Sequence, residues 1–331
     1  MDSAFPKISI ITPSYNQADF LEDTILSVLN QNYPNLEYII IDGKSSDHSV
    51  EIIRKYADRL TYWVSEKDNG QSHAINKGLE KATGEIVTWL CSDDLYVPGT
   101  LHEVARIFLQ NPEVDMIHGK SVLFGNRKKE QEIGGNIRHL PLCYYSGIPY
   151  PQPSSFFRKK IFDETGLLNE ELHFGMDYDL LVRTALSYSI MHIDKVFSRY
   201  RLHSSSKTVS QLSKFSKDWM MVFSKFLRSV EGTSAIIERM KKEGFYSDEK
   251  GAYSHRKQFT AQELKRINSL FLYHQLIIYY EVYDRKKIQH ILNLLHEMDP
   301  EFYAENQLRK VQLRKMIFPP VIVHFVRTFR R

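Results

Sequence analysis

Two adjacent carboxylates, Asp93 and Asp94, follow directly on an apolar run (Ile86, Val87, Trp89, Leu90) in the stretch EIVTWLCSDDLYVPG. Neighbouring like charges are costly wherever water is scarce. A hard divalent cation takes oxygen ligands, and magnesium is often held by one or two carboxylates plus substrate phosphates. The pair can therefore hold a metal that also grips a diphosphate. Alternatively, Asp94 or Ser92 caps a helix starting near Pro98. Three other segments also set polar, turn-forming or acidic residues straight after apolar runs: TPSYN (Thr12 to Asn16), DGKSSD (Asp42 to Asp47) and SEKDNG (Ser65 to Gly70). In an open α/β sheet, ligands bind outside the carboxyl ends of the strands. Four such ends on one edge would make one site.

The elements that must position these loops alternate. KISIIT, LEYIIID, RLTYWVS and EIVTWLC read as strands, the second a continuous apolar run suited to burial on both faces. Between them lie helical patterns. Leu21, Ile25, Val28 and Leu29 form one stripe, opened by an Asp-x-x-Glu signal at Asp19 and Glu22. SVEIIRKYA forms a second helix, capped by Ser46 or Asp47, and GQSHAINKGLEKA a third. Pro98 suits the first turn of a fourth, with stripe Leu101, Val104, Ala105, Phe108 and Leu109. This order implies a mostly parallel α/β sheet with helices on both faces. Further on, VDMIHGKSVLF, SSFFRK and IMHIDKVFSRYRL read as strands and DYDLLVRTAL as a helix. From about Leu212 only helical periodicity remains, including Phe259 to Tyr283. A Ser-, Lys- and Thr-rich boundary near Ser204 to Ser213 divides an α/β domain, residues 1–210, from a helical appendage, residues 211–331.

The chain has 331 residues, 42% hydrophobic and 25% charged, an ordinary globular composition. Its net charge of +4 is too small to argue for nucleic acid. Two cysteines, Cys91 and Cys143, cannot build a disulfide framework or a zinc site by themselves, so a reducing, cytoplasmic compartment is expected. The start, MDSAFPKISIIT, lacks the basic region and long apolar run of a signal peptide. After Glu305 there are no acids, and LRKVQLRKMIFPPVIVHFVRTFRR mixes basic clusters with apolar residues. The most apolar part is too short to span a bilayer. This segment reads either as a peripheral anchor on an anionic membrane surface or as a last helix with a basic tail.

No Walker-type phosphate loop or Gly-x-Gly-x-x-Gly fingerprint occurs. TPSYNQ, IIIDGKSSD, SEKDNGQSHAINKG and WLCSDD, in that order, closely resemble the inverting glycosyltransferases of family 2, with the GT-A (Rossmann-like) fold. The likeness continues in PQPSSFFRKKIF, FGMDYDLLVR and YRLHSSSKT and covers roughly residues 5 to 210. It implies a nucleotide-binding first loop of Pro13, Tyr15 and Asn16, with Tyr15 against a uracil ring. Asp42 would accept the base's imide N–H, and Asp68 and Gly70 would line the donor pocket. Asp93 would bond ribose or donor-sugar hydroxyls and Asp94 the metal, Mg²⁺ or Mn²⁺. His203 would complete the metal's coordination or touch the diphosphate; otherwise it is an ordinary hydrogen-bonded histidine. The family's general base falls at Asp177, although Met176 stands where an acid is common. Asp179, two residues on, faces elsewhere on a helix and reads as solvated or Arg-paired. His73, His102 and His118 read as structural.

The implied activity is that of a hexosyltransferase, moving a sugar from a UDP-sugar to a saccharide or lipid-linked acceptor in polysaccharide biosynthesis. Rival expectations are a non-catalytic nucleotide-sugar-binding module of the same fold, a basic nucleic-acid binder using the C-terminal tail, and a nucleotidyltransferase. The last lacks its glycine-rich basic phosphate loop.

Overall fold

The computed structural model describes residues 5–125, 129–135, 139–207 and 211–311. They fall into two compact units. One spans Met1–Arg138 and Ile148–Val209; the other spans His139–Gly147 and Ser210–Arg331.

The first unit is built on a nine-stranded sheet. In chain order its elements begin with β1 (Ile8–Ser14), α1 (Ala18–Leu29), β2 (Leu36–Asp42), α2 (Ser49–Lys55), β3 (Tyr62–Ser65), α3 (Gln71–Lys81) and β4 (Ile86–Trp89). There follow β5 (Leu95–Tyr96), α4 (Thr100–Gln110), β6 (Met116–Gly125), β7 (Gln131–Ile133), β8 (Ser155–Arg158), α5 (Lys160–Thr165), α6 (Met176–Ser187) and β9 (Ile190–Leu202). The strand order is β3-β2-β1-β4-β8-β6-β9-β5, with β7 on β6. From β3 to β4 every pairing is parallel, each reached through a helix. Beyond β4 the neighbours are mixed: β8 is antiparallel to both β4 and β6, while β6 and β9 run parallel.

Register aligns the strand ends. Ser14 pairs with Asp42, and Asp42 with Ser65, so three loops leave the sheet from one row. Ile11 pairs with Trp89, which brings the fourth end to the same edge. Burial explains why the strands read as unbroken apolar runs. Ile8, Ile10, Tyr38 and Ile40 pack beneath Leu21, Ile25 and Val28 of α1 and Leu101, Val104 and Phe108 of α4. Side chains alternate across a strand, and Ile11 faces the opposite way, towards α3. A Cβ on Gly78 would lie only 2.4 Å from Ile11 Cγ2, so this helix approaches β1 too closely for any larger residue. Each fully buried Ile or Val stabilises the sheet by about 1.5–3 kcal/mol.

Two expected helix starts differ. Asp19 and Glu22 make no capping box; instead Ala18 N donates to Asp47 Oδ2 at 2.9 Å, from the loop after β2. Asp47 Oδ1 accepts from Ser49 N at 3.0 Å, so one carboxylate serves the starts of two helices. The fourth helix begins at Thr100 rather than at Pro98, because Gly99 takes a left-handed conformation (φ 81°) and forms its N-cap.

The second unit contains helices at Leu212–Ser229, Ser234–Glu243, Ala261–Glu281, Arg285–Met298 and Pro300–Glu305. The long middle helix opens on a true capping box: Thr260 accepts from Glu263 N while Glu263 accepts from Thr260 N. Its core stacks Phe223 on Phe271, with ring centroids 3.9 Å apart. Segment 139–147 belongs here, with Tyr145 stacked on Phe226. Residues 312–331, most of the basic C-terminal segment, lie outside the described residues. Among the described residues, no helix is long and apolar enough to cross a membrane.

Candidate active site

At the β1 and β2 ends the loops are riveted together. Asp42 is fully buried; its Oδ2 accepts from Ser45 N (2.9 Å) and Ser65 Oγ (2.6 Å), and its Oδ1 from Ser45 Oγ (2.5 Å). The carboxylate that the sequence resemblance assigned to the base's imide N–H here binds both of its oxygens into its own loop and the start of the next. Asn16, with φ 52°, donates its N–H to Ser45 Oγ (2.8 Å) and accepts Ser46 N at Oδ1 (2.8 Å). Pro13 is buried beneath this turn, whereas the Tyr15 ring stands 61% exposed at its crest.

Gly43 shows how close the third loop comes. A Cβ there would sit 2.6 Å from Asp68 Oδ2 and 3.3 Å from Tyr15 Cδ2. Tyr15, Gly43 and Asp68 are therefore one patch. Asp68 Oδ1 accepts from Gly70 N (2.8 Å), and Gly70 takes φ 117°, open to glycine, as it starts α3.

The paired acids differ sharply in environment. Asp94 is 1% exposed; its Oδ1 accepts Arg201 N (2.9 Å), and its carbonyl accepts Thr24 Oγ1 (2.9 Å). Burial, followed by the charge of Asp93, pushes its carboxyl well above the usual range. Asp93 is only partly covered, and its Oδ2 lies 2.9 Å from His203 Nε2. The imidazole is oriented from behind by Ser205 Oγ, 2.8 Å from Nδ1, and rests against Phe20 with centroids 4.5 Å apart. Strand β9 delivers this histidine: its antiparallel pairing with β5, just after the acids, aligns Leu95 with Arg199.

Donor atoms of Cys91, Asp93 and Asp94 all lie within 4.8 Å of one another. Two carboxylates so placed repel each other, and burial first, then the Asp93 charge, hold the Asp94 carboxyl raised. A hard divalent cation relieves it, and carboxylate oxygens with one imidazole nitrogen suit Mg²⁺ or Mn²⁺. The residues fit such an ion.

Asp177 lies in the first turn of α6, where the helix N-terminus favours an anion. Its Oδ1 accepts Tyr178 N (2.9 Å). Burial pushes the carboxyl up to about 6, against the backbone N–H groups of Tyr178 and Asp177 and the Lys207 ammonium, which pull it down. A carboxyl with that value can exchange a proton near neutrality. Met176 is buried, and its sulfur accepts the Ser72 hydroxyl (2.8 Å). Asp179 is 2% exposed and pairs with Arg183 Nε (2.9 Å), which in turn donates to the carbonyls of Thr165, Gly166 and Leu167. It is Arg-paired and structural.

Of the other histidines, His73 Nδ1 accepts Asn69 N (2.9 Å), His102 packs edge-on against Phe5 and Tyr33, and His118 is buried against Tyr150.

The sequence reading passed over several residues. Arg201 clamps the acids: its N–H holds Asp94, its Nε the Asp93 carbonyl (2.9 Å) and its guanidinium Asp23 (2.9 Å). Lys207 Nζ donates to Gln71 Oε1 (3.0 Å) and to the His173 carbonyl (3.3 Å). Gln71 Nε2 in turn donates to Cys91 Sγ (3.1 Å). Burial, then Asp94 and Asp93, push the Cys91 thiol up, with Asp177 adding to the effect. A charge four residues beyond His203 was the available signal for Lys207.

The comparisons bear on the family and the fold. Residues 9–166 match Glycosyl transferase family 2. An uncharacterized glycosyltransferase of Rickettsia typhi is 29% identical over 256 residues, covering 73% of this chain and 78% of the relative. An uncharacterized glycosyltransferase of Haemophilus influenzae is 41% identical over 143 residues, 41% of this chain and 57% of the relative. Among solved structures, S. aureus TarS 1–349 in complex with UDP-GlcNAc superposes with TM-score 0.58 at 18% identity, covering 88% of this chain and 80% of that one. The mannosyltransferase PcManGT of Pyrobaculum calidifontis, in complex with GDP-Man and Mn²⁺, gives TM-score 0.56 at 16% identity, covering 98% and 85%. The fold is that of the GT-A glycosyltransferases. The chain carries a glycosyl transferase family 2 domain over residues 9–166, and its sequence relatives are glycosyltransferases, which makes it a transferase enzyme.

Proposed function

We propose that the protein transfers a sugar, with inversion, from a nucleotide sugar to an acceptor hydroxyl, with Asp177 as general base and a divalent cation at the acid pair. UDP is the proposed nucleotide, and a saccharide or lipid-linked saccharide the acceptor. The observation that carries this reading is a run of neighbouring groups that links the acid pair to Asp177. Cys91 Sγ lies within 4.8 Å of donor atoms of Asp93 and Asp94; Gln71 bridges Cys91 and Lys207; and the Lys207 charge acts on Asp177.

In this reading the Tyr15 ring and the patch formed with Gly43 and Asp68 receive the nucleoside, while Asp42 and Asn16 hold that patch in shape and Gly70 opens the pocket beside it. Asp93, Asp94 and His203 would hold Mg²⁺ or Mn²⁺, which when bound supplies charge neutralisation on the departing diphosphate. Asp177 takes the proton of the acceptor hydroxyl. The acceptor oxygen bonds to the anomeric carbon from the face opposite the diphosphate oxygen, whose bond to that carbon breaks with its electron pair. A base in hydrogen-bond reach typically contributes about 10²–10⁴-fold. The PcManGT complex, with GDP-Man and Mn²⁺, supports a divalent ion by analogy, and the TarS complex supports a nucleotide-sugar donor.

The basic C-terminal segment is proposed to rest on an anionic membrane surface of the cytoplasm, supported by its sequence alone. The test of the activity is a screen of nucleotide sugars for release of nucleoside diphosphate with manganese present. Release from at least one donor, lost on chelation, is the expected result; none from any donor, with or without acceptors, would leave the non-catalytic alternative in possession.

A further inference from the structure

We propose that His118, His192 and Asp194 form a zinc site that clips strand β9 to strand β6. The site shares no residue with the acid pair and stands independently of the proposed transfer reaction.

The two imidazoles are cross-strand partners: His118 on β6 pairs with His192 on β9 in a parallel ladder. Their Nδ1 atoms are 3.4 Å apart, longer than the roughly 2.7–3.2 Å of an ordinary N–H hydrogen bond. Two imidazole nitrogens at about 2.0–2.1 Å from a tetrahedral zinc ion lie roughly 3.3–3.4 Å from each other. The ring centroids are 5.0 Å apart, so the rings open away from the facing nitrogens rather than stack. His118 is fully buried, and its ring lies on Tyr150 with centroids 4.4 Å apart, which fixes its direction. His192 is only partly buried, which gives an ion a way in.

The backbone is shaped around this pair. From His118 to Lys120 β6 advances two positions, while β9 advances four, from His192 to Val196. The extra residues make a bulge, a device that re-aims side chains and is common beside functional sites. Gly119 lies beneath it: a Cβ there would fall 2.5 Å from Phe197 Cδ2 and 2.7 Å from the Lys195 carbonyl oxygen. Asp194 rides on the bulge, two positions after His192, and its charge acts on that imidazole. Its side chain is 80% exposed and therefore free to turn. The carboxylate pairs with Lys120 Nζ at 3.0 Å, and Lys120 keeps Glu132, at 3.1 Å, as a partner when Asp194 swings to the ion. Two imidazoles and a carboxylate, with water in the fourth position, suit zinc better than the harder Mg²⁺.

The test is Zn²⁺ calorimetry and Co²⁺ absorption on the full chain, with excess Mg²⁺ present to occupy the acid pair. The proteins compared are the parent, His192→Gln, Asp194→Asn and Asp94→Asn. In the parent, Co²⁺ should give the intense visible bands of a four-coordinate site, and one equivalent of Zn²⁺ should displace it and raise the melting temperature. His192→Gln alters a partly exposed side chain and should melt with the parent when a chelator is present. It should nevertheless lose that equivalent, the bands and the zinc-dependent rise. Asp94→Asn should keep all three, and Asp194→Asn should bind the same equivalent more weakly. If the parent shows no such bands, or His192→Gln binds as much Zn²⁺ as tightly as the parent, the clip does not exist. Bands lost in Asp94→Asn but kept in His192→Gln would put the cobalt at the acid pair and equally overturn it. An Asp194→Asn affinity equal to the parent's would take that carboxylate out of the ligand set.

Discussion

His203 Nε2 stands 2.9 Å from Asp93 Oδ2, while Ser205 Oγ holds the opposite ring nitrogen at 2.8 Å. In the proposed metal site Ser205 would be the outer hydrogen bond that fixes a ligating imidazole, and such outer partners typically carry about 10–100-fold in metal affinity. His203→Ala should therefore raise the Mn²⁺ concentration needed for half-maximal donor binding by about 10-fold or more, and Ser205→Ala by less. A manganese titration of donor binding checks it; an unchanged midpoint in the His203 variant would remove this residue from the metal site.

Asp94 separates a structural from a metal role. Its side chain accepts the Arg201 N–H in a buried place. Asp94→Asn keeps an acceptor and removes a buried charge, so it should melt no lower than the parent, yet lose metal-dependent nucleotide affinity. Asp94→Ala orphans the N–H as well, costing about 1–3 kcal/mol of stability. Equal metal-dependent affinity in the Asn variant and the parent, read by calorimetry, would refute a role for Asp94 in holding the ion.

The base predicts two pH effects. With its carboxyl at about 6, Asp177 is protonated below that pH, so turnover should rise through an acidic limb near 6. Stability runs the opposite way. The ordinary carboxyl lies at 3.8, so between 3.8 and about 6 the folded chain keeps a proton that the unfolded chain releases. Stability attributable to this group is therefore full below 3.8 and lost as pH rises through 6, by at most about 3 kcal/mol. Asp177→Asn should melt above the parent at pH 8 and level with it near pH 4, while losing about 10²–10⁴-fold in turnover. A lower melting point at both pH values would contradict this assignment of the burial cost.

Asp47 tests the scaffold apart from the chemistry. Removing a side-chain cap costs about 1 kcal/mol, and this carboxylate serves two helix starts, so Asp47→Ala should lose about 1–2 kcal/mol in urea unfolding. A change within a few tenths would mean that water replaces both contacts.

Much of the site was legible because strands buried on both faces announce themselves as unbroken apolar runs, and their ends as abrupt polar turns. Ser14, Asp42 and Ser65 fall in one row for that reason. What escaped notice depends on partners distant in the chain. Asp47 caps a helix that begins 29 positions earlier, and nothing local to Asp19 reveals that its own signal goes unused. Arg201 holds an acid 107 positions away through its backbone, which no side-chain pattern encodes. Strand β5, with two residues, is too short to show periodicity. The burial of Met176 against Ser72 likewise needed the packing of α3 on α6.

The central claim is transfer with inversion, driven by a base on the face opposite the diphosphate. Proton NMR of the first sugar product released from an α-linked nucleotide sugar tests it most directly. The β anomer should appear first, and only in the presence of the divalent ion. An α product formed first, at undiminished rate in Asp177→Asn, would contradict the account.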